Sequence, residues 1–185
     1  MSNALPVSLR KWTHCKRCAN LATWRRHVVV GQGDLPARVL FIGEAPDRTA
    51  DLLGDPFAGP SGQILDRAMR DAARFAKIAM PTYYTTLVLA CRPCDVWMGE
   101  QRPPAPEEIA RCLPRLVRIV TLARPERVIF LGDVAQHECK RLCPDGVKLR
   151  HPGFVARKGG VGSVGYRTFV RGLAEVFQSL RESNS

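Results

Sequence analysis

Val39-Leu40-Phe41-Ile42-Gly43-Glu44-Ala45-Pro46-Asp47, followed by Pro56-Phe57-Ala58-Gly59-Pro60-Ser61-Gly62, is the stretch whose reading decides the fold. The four apolar residues at its head read as a buried strand, and Gln63 to Met69 beyond it as a helix. A strand that ends in a Gly/Pro-rich loop before a helix is where an open α/β sheet builds its ligand site. The loop has neither the Gly-x-Gly-x-x-Gly spacing nor the Gly-Lys-Ser/Thr ending of a phosphate cradle. It holds instead one carboxylate, Glu44, and one aromatic ring, Phe57, between rigid elements. That pairing suits a flat polar ring held by stacking.

Working outward, the pattern alternates. Ser61 to Ala76 reads as a helix with Ile64, Leu65, Ala68, Met69 and Ala72 on one face. Tyr83 to Ala90 reads as a second strand, rich in β-branched and aromatic residues. A proline-rich loop covers residues 92 to 106. Glu107 to Ala123 reads as an amphipathic helix with Ile109, Leu113, Leu116, Val117 and Val120 at helical spacing. Val128 to Leu131 is a third strand, and Asp133 is expected to cap a helix running to about Cys143. Val147 to Arg150 is a short fourth strand ending at His151-Pro152. A glycine-rich loop from Gly159 to Gly165 precedes a last helix, from about Tyr166 to Leu180. Strands alternating with helices predict a three-layer α/β/α sandwich around a central, four-stranded, mainly parallel sheet. Residues 7 to 30 read as helix and loop. The strand ends then bring the Gly43–Gly59 loop, the segment after Leu89 and His151 to one rim.

The chain has 185 residues, long enough for one domain with a full core, expected to span 1–185. No apolar run approaches the roughly 20 residues of a membrane span, nor is a signal peptide visible, so the protein is expected to be cytoplasmic and free of membranes; a monomer is expected as well. With 28 Lys+Arg against 17 Asp+Glu, the formal net charge is +11. Solubility alone explains some of this excess. Clustering at Lys16-Arg17, Arg25-Arg26, Lys140-Arg141 and Arg157-Lys158, with arginine dominant, points further to a polyanionic partner, nucleic acid above all.

Seven cysteines in such a chain are better explained by metal than by disulfides. Cys15 and Cys18 form a Cys-x-x-Cys pair, and Cys91 and Cys112 stand beside Arg/Pro-rich turns. A four-thiolate site is expected. The spacing matches none of the common ferredoxin patterns, so zinc and iron–sulfur both remain open.

The ordered motifs resemble the uracil-DNA glycosylase superfamily, and within it the iron–sulfur family-four branch, over nearly the whole chain. They are Cys15 to Cys18, Gly43 to Asp47, Pro56 to Gly62, Cys91-Arg92-Pro93-Cys94, Pro106 to Cys112, and His151-Pro152-Gly153. The resemblance implies a glycosylase that flips uracil or a related deaminated or modified base out of single- or double-stranded DNA and hydrolyses its N-glycosidic bond. It implies Cys15, Cys18, Cys91 and Cys112 as ligands of a structural [4Fe–4S] cluster, with zinc as the alternative, pinning segment 7–30 to the core. Cys94, Cys139 and Cys143 then read as packed free thiols. The resemblance further implies Glu44 and His151 as catalytic groups, with Asp47 as a possible second carboxylate in a position the family fills with glycine. The base would meet Gly43, Ala45 and the stacking ring of Phe57. Ser61, Phe154, Val155, Arg157 and Lys158 are expected to meet DNA, with Phe154 or Val155 as a wedge. Blander readings stand beside these: core packing for Phe57, a capping or solvated carboxylate for Glu44, and an ordinary basic loop for 154–160.

One departure bears on the substrate. The family carries an asparagine four residues before the Cys-Arg-Pro turn, where its amide reads the uracil edge. Here that position is Leu87, and Thr85 is the nearest polar substitute on the same strand face. His-Pro-Gly in place of His-Pro-Ser loses one hydroxyl. The covalent-trapping insert of a related branch is absent between Asp95 and Arg102. A DNA-binding member with weak or no catalysis, or an enzyme acting on a modified nucleotide without base release, are the alternative readings.

Overall fold

The computed structural model describes residues 5–182. Five strands form one sheet in the order β1-β3-β2-β4-β5: β1 (Gln32–Gly33), β2 (Val39–Gly43), β3 (Tyr83–Leu87), β4 (Arg127–Leu131) and β5 (Val147–Leu149). All neighbours pair parallel except β1, which runs antiparallel to β3. The expected sheet of four strands thus gains a two-residue edge strand. Gln32-Gly33 is too short to show any periodicity in sequence.

Two apolar faces explain the layering. Side chains alternate across a strand, so Val39 and Phe41 join the core under α4 (Pro60–Ala76) and α8 (Val164–Glu182). Leu40 and Ile42 point the other way, into a core shared with α1 (Val7–Arg10), α5 (Pro106–Ala123) and α6 (Asp133–Cys139). The α4 face is as expected, extended by Ala73 and Ala76. In α5 the buried stripe is rotated from expectation. Ile109, Leu116, Ile119 and Ala123 face inward with Arg115, while Leu113 and Val117 are exposed. Burying Arg115 and turning the half-buried Cys112 toward the N-terminal segment rotates the helix away from its most apolar-looking edge.

Three short helices complete the chain: α2 (Ala19–Trp24), α3 (Arg48–Leu53) and α7 (Pro152–Arg157). Neither α3 nor α7 was expected from the sequence, since each is only six residues long. Asp133 is the first residue of α6, and Gly132 is the cap; the Asp133 carboxylate pairs with Lys148 at 2.8 Å. The ladder of β3 stops at Leu87, yet Val88 and Leu89 donate to the carbonyls of Gly43 and Glu44 at 2.8 and 3.0 Å. This pins the two strand exits side by side. Buried Asp51 in α3 accepts from the backbone N–H groups of Arg26 and His27, anchoring segment 7–30 to the core. Among the described residues no helix is long and apolar enough to cross a membrane.

Gly62 fixes the entry of α4. A Cβ there would lie 1.6 Å from the Phe57 carbonyl oxygen. Helix propensity alone favours alanine over glycine by about 1 kcal/mol, but overpacking against backbone costs typically 1–3 kcal/mol or more. Gly62→Ala should therefore destabilise the protein, read as a lower denaturant midpoint at unchanged slope; a raised midpoint would contradict the packing described.

Candidate functional site

The C-terminal ends of β2, β3 and β4 open onto one rim. Gly43, the last residue of β2, has no room for a side chain: a Cβ would lie 2.8 Å from Leu87 Cδ2 and 3.1 Å from Phe57 Cζ. The space a side chain would need is taken by Leu87, which is 1 % exposed, and by the half-buried Phe57 ring. Phe57 is held at its backbone, where its N–H donates to Asp55 Oδ1 at 3.0 Å. Its ring centroid stands 6.3 Å from that of His151, with the planes 33° apart. Gly43, Phe57, Leu87 and His151 are therefore one contiguous group.

His151 caps α7. Its Nδ1 accepts from the Gly153 N–H at 3.0 Å, which places the remaining proton of the neutral ring on Nε2. Burial, and secondarily the charge of Arg157, hold its pKa below the ordinary 6.5, with Asp47 opposing. Burial raises the Glu44 carboxyl above its ordinary 4.5. Glu44 and His151 line a common cavity of about 530 Å³ with Gly132, Lys148, Arg150 and Phe154. Asp47 is exposed and caps α3, its Oδ1 accepting from Ala50 N–H at 2.8 Å. Ala45 packs toward Leu21, Leu89 and Cys91. Thr85 is not in the Glu44–His151 cavity. Its hydroxyl donates to the Gln32 carbonyl at 3.1 Å, and it lines a neighbouring cavity of about 440 Å³ with Phe57, Asp55 and Asp66.

The segment expected to meet DNA is helix α7 rather than a loop. Val155 is 1 % exposed and packs in the core, so it is not available as a wedge. Helical spacing turns Phe154 outward instead, where the Arg150 guanidinium lies 4.7 Å above its ring. Arg157 and Lys158 are exposed at the helix end, and Ser61 is half-buried in the first turn of α4.

Away from this rim, Cys15, Cys18, Cys91 and Cys112 line one cavity, walled by Trp12, Val28 and Leu89 and ringed by Arg17, Arg25, Arg111 and Arg115. Arg25 donates to Cys91 Sγ at 3.6 Å and also to the Cys15 carbonyl. Cys112 Sγ accepts from Ala90 N–H and Arg115 Nε, both at 3.4 Å. Burial pushes the Cys91 thiol up to about 12, with Arg25 opposing. Thiolates need such donors and cations when they bind a metal, so the residues present fit an anionic thiolate centre. Among the described residues, no three His, Cys, Asp or Glu side chains gather as a single-ion site. Cys94, Cys139 and Cys143 lie elsewhere as buried free thiols.

The sequence model of the Uracil DNA glycosylase superfamily matches residues 30–179. The chain belongs to this superfamily. Among curated relatives, it is 34% identical over 127 residues to a Type-4 uracil-DNA glycosylase of Archaeoglobus fulgidus, covering 69% of this chain and 59% of that protein. It is 33% identical over 122 residues to the protein of the same name from Pyrobaculum aerophilum, covering 66% and 57%. With that of Thermotoga maritima it shares 33% over 127 residues, covering 69% and 59%. The matched stretch thus spans less than two thirds of these relatives' length.

In this uracil-DNA glycosylase superfamily chain, sequence reasoning missed two residues that position the site. Arg115 is fully buried and donates to the carbonyls of Val30 at 2.8 Å, Val88 at 3.2 Å and Leu87, and to Thr86 Oγ1 at 2.9 Å. The only signal was its place three residues after Cys112, one helical turn along the same face. Asp51 gave no signal, because its partners are backbone amides 24 and 25 residues away.

Proposed function

We propose that the protein is a DNA glycosylase that extrudes uracil or a related deaminated or modified base and hydrolyses its N-glycosidic bond, as the first step of base excision repair. The observation that carries this reading is the Phe57–His151 ring pair beside Gly43, with Glu44 and His151 sharing one cavity. An enzyme acting on a base inside DNA must take it out of the stack and hold it against an aromatic wall. Phe57 supplies that wall. As the C1′–N bond breaks, its electron pair leaves with the base, whose negative charge spreads onto its exocyclic carbonyl oxygens. The Nε2–H of neutral His151 stabilises that charge as it develops. Glu44, desolvated and close by, holds the attacking water and the cation-like sugar; oxygen adds at C1′, and the water proton leaves to solvent or the departing base. Phe154, Arg157, Lys158 and Ser61 face the flanking DNA in this reading, and the net charge of +11 favours phosphate binding.

His151→Ala should cut base release roughly 100- to 1,000-fold with DNA affinity unchanged. Both required forms, ionised Glu44 and neutral His151, are lost on acidification. Because burial raises Glu44 above 4.5 and lowers His151 below 6.5, the rate should be flat at and above neutrality. It should fall on the acid side as each of the two groups takes up its proton. In Glu44→Gln the residual activity should keep only the histidine limb, below pH 6.5; a limb above 6.5 that vanishes in His151→Ala would be incompatible with the assigned roles.

Leu87 decides selectivity in this reading. It lies buried against Gly43 beside Phe57, at the sequence position where the family's asparagine would read the uracil edge, and a leucine offers no hydrogen bond to that edge. The same observation favours a second reading, a weakly catalytic member that recognises a modified base. Leu87→Asn should lower stability by about 1–3 kcal/mol, the cost of burying an unpartnered amide, while raising uracil release roughly 100-fold or more. No gain with uracil, and no abasic product across a panel of hypoxanthine, xanthine and hydroxymethyluracil oligonucleotides, would decide for the second reading.

Cys15, Cys18, Cys91 and Cys112 would hold a [4Fe–4S] cluster, which supplies a structural cross-link and no step of the reaction. Four thiols suit either one tetrahedral ion or a cluster, but these line one cavity without gathering as a single-ion site among the described residues, which favours the larger cluster. The purified protein should be brown and contain iron and sulfide in near-equal amounts; colourless protein with stoichiometric zinc overturns this assignment.

A further inference from the structure

The loop from β3 to α5 presents three consecutive exposed apolar side chains. Val96, Trp97 and Met98 are 56%, 49% and 41% exposed. Runs of this kind on a folded surface are costly unless something uses them. The tip is also held rigidly. Gly99 N–H donates to the Val96 carbonyl at 3.1 Å, closing a tight turn, and Met98 adopts φ of +58°, a conformation that L side chains rarely take. Beneath the turn, buried Arg92 donates to the Gly99 carbonyl, and Arg102 binds Asp95 at 3.0 Å and Glu108 at 2.7 and 2.9 Å. From the other side, Arg48 donates to the Met98 carbonyl at 2.6 Å.

That last bond locates the tip. Arg48 follows Asp47, so the turn is tied directly to the loop that carries Glu44 and Asp47 at the candidate site. Arg48 makes no ion pair with a carboxylate among the described residues, which leaves its charge available to a phosphate. An indole on a hydrogen-bonded mount, an adjacent guanidinium with no carboxylate partner among the described residues and a basic chain fit a nucleic-acid strand with an accessible base face.

We propose that the Val96–Met98 turn is a strand-docking element, in which Trp97 stacks on an unpaired base flanking the nucleotide in the pocket and Arg48 meets the neighbouring phosphate. This deepens the DNA reading above and rests on it for the partner, though not for base release. A duplex buries its base faces in its own stack, so the element favours single-stranded DNA.

The test uses the whole holoprotein and a single-stranded oligonucleotide without uracil, so that binding is read independently of base release. Trp97→Ala should weaken binding about tenfold, within the range of one base–aromatic stack, and change duplex binding much less. Its salt dependence should be unaltered, because no phosphate contact is removed. Trp97→Phe should restore affinity while losing the share of the oligonucleotide-induced fluorescence quench that Trp97 contributes. Arg48→Ala should instead reduce the salt slope by about one. Wild-type affinity in Trp97→Ala, or an undiminished quench in Trp97→Phe, overturns the proposal. Failure of base release with these binding effects intact would overturn the glycosylase reading and leave the docking element standing.

Discussion

A single buried cation organises the middle of this molecule. Arg115 has no exposed surface and, among the described residues, no carboxylate partner. Removing such a charge from water costs several kcal/mol. The structure meets that cost with carbonyls from the Val30 segment and from the exit of β3, the Thr86 hydroxyl and the sulfur of Cys112. Val30 and Cys112 keep a second donor, Thr86 Oγ1 and Ala90 N–H respectively, whereas the Leu87 and Val88 carbonyls depend on the guanidinium more heavily. The guanidinium therefore fixes three things together: where segment 7–30 lies on the sheet, where β3 ends, and where Cys112 faces the thiol cavity.

The surroundings of Gly43 inherit their position from this arrangement. Leu87, whose carbonyl accepts from Arg115, is also the residue whose side chain presses on Gly43 beside Phe57. The thiol cavity and the rim at Gly43 are thus linked through Leu87 at the end of β3, whose carbonyl accepts from Arg115 while its side chain crowds Gly43. A structural centre at the cysteines would act on the pocket through geometry. It would stiffen the strand exit against which any flat ring must rest.

Much of the fold was legible in the sequence because strong periodicity survives folding. The strands at Val39, Tyr83 and Arg127 and the long helices after Gly59, Ala105 and Gly162 all follow from apolar spacing and proline placement. The errors have a common cause. Leu113 and Val117 look like core residues on helical spacing, but the buried stripe was chosen by Arg115 and Cys112, whose partners are far away in sequence. Val155 looks like an exposed wedge in a basic loop, but the loop folds into one and a half turns of helix that bury it. Asp133 looks like a cap, but Gly132 takes that place and frees the carboxylate for Lys148.

By itself the sequence determined the layered α/β architecture and the loop chemistry around Glu44 and Phe57. It also determined the family to which the chain belongs. These depend on local pattern and on ordered motifs, which a linear chain displays directly. Only the tertiary structure decided which side chains share a cavity, that Glu44 stands with His151 while Thr85 looks into another space, and that Asp47 is occupied as a cap. It alone revealed Arg115 and the rigid mount of Trp97. Both are built from hydrogen bonds to backbone carbonyls, and a carbonyl's position leaves no mark on the identity of the residue that carries it.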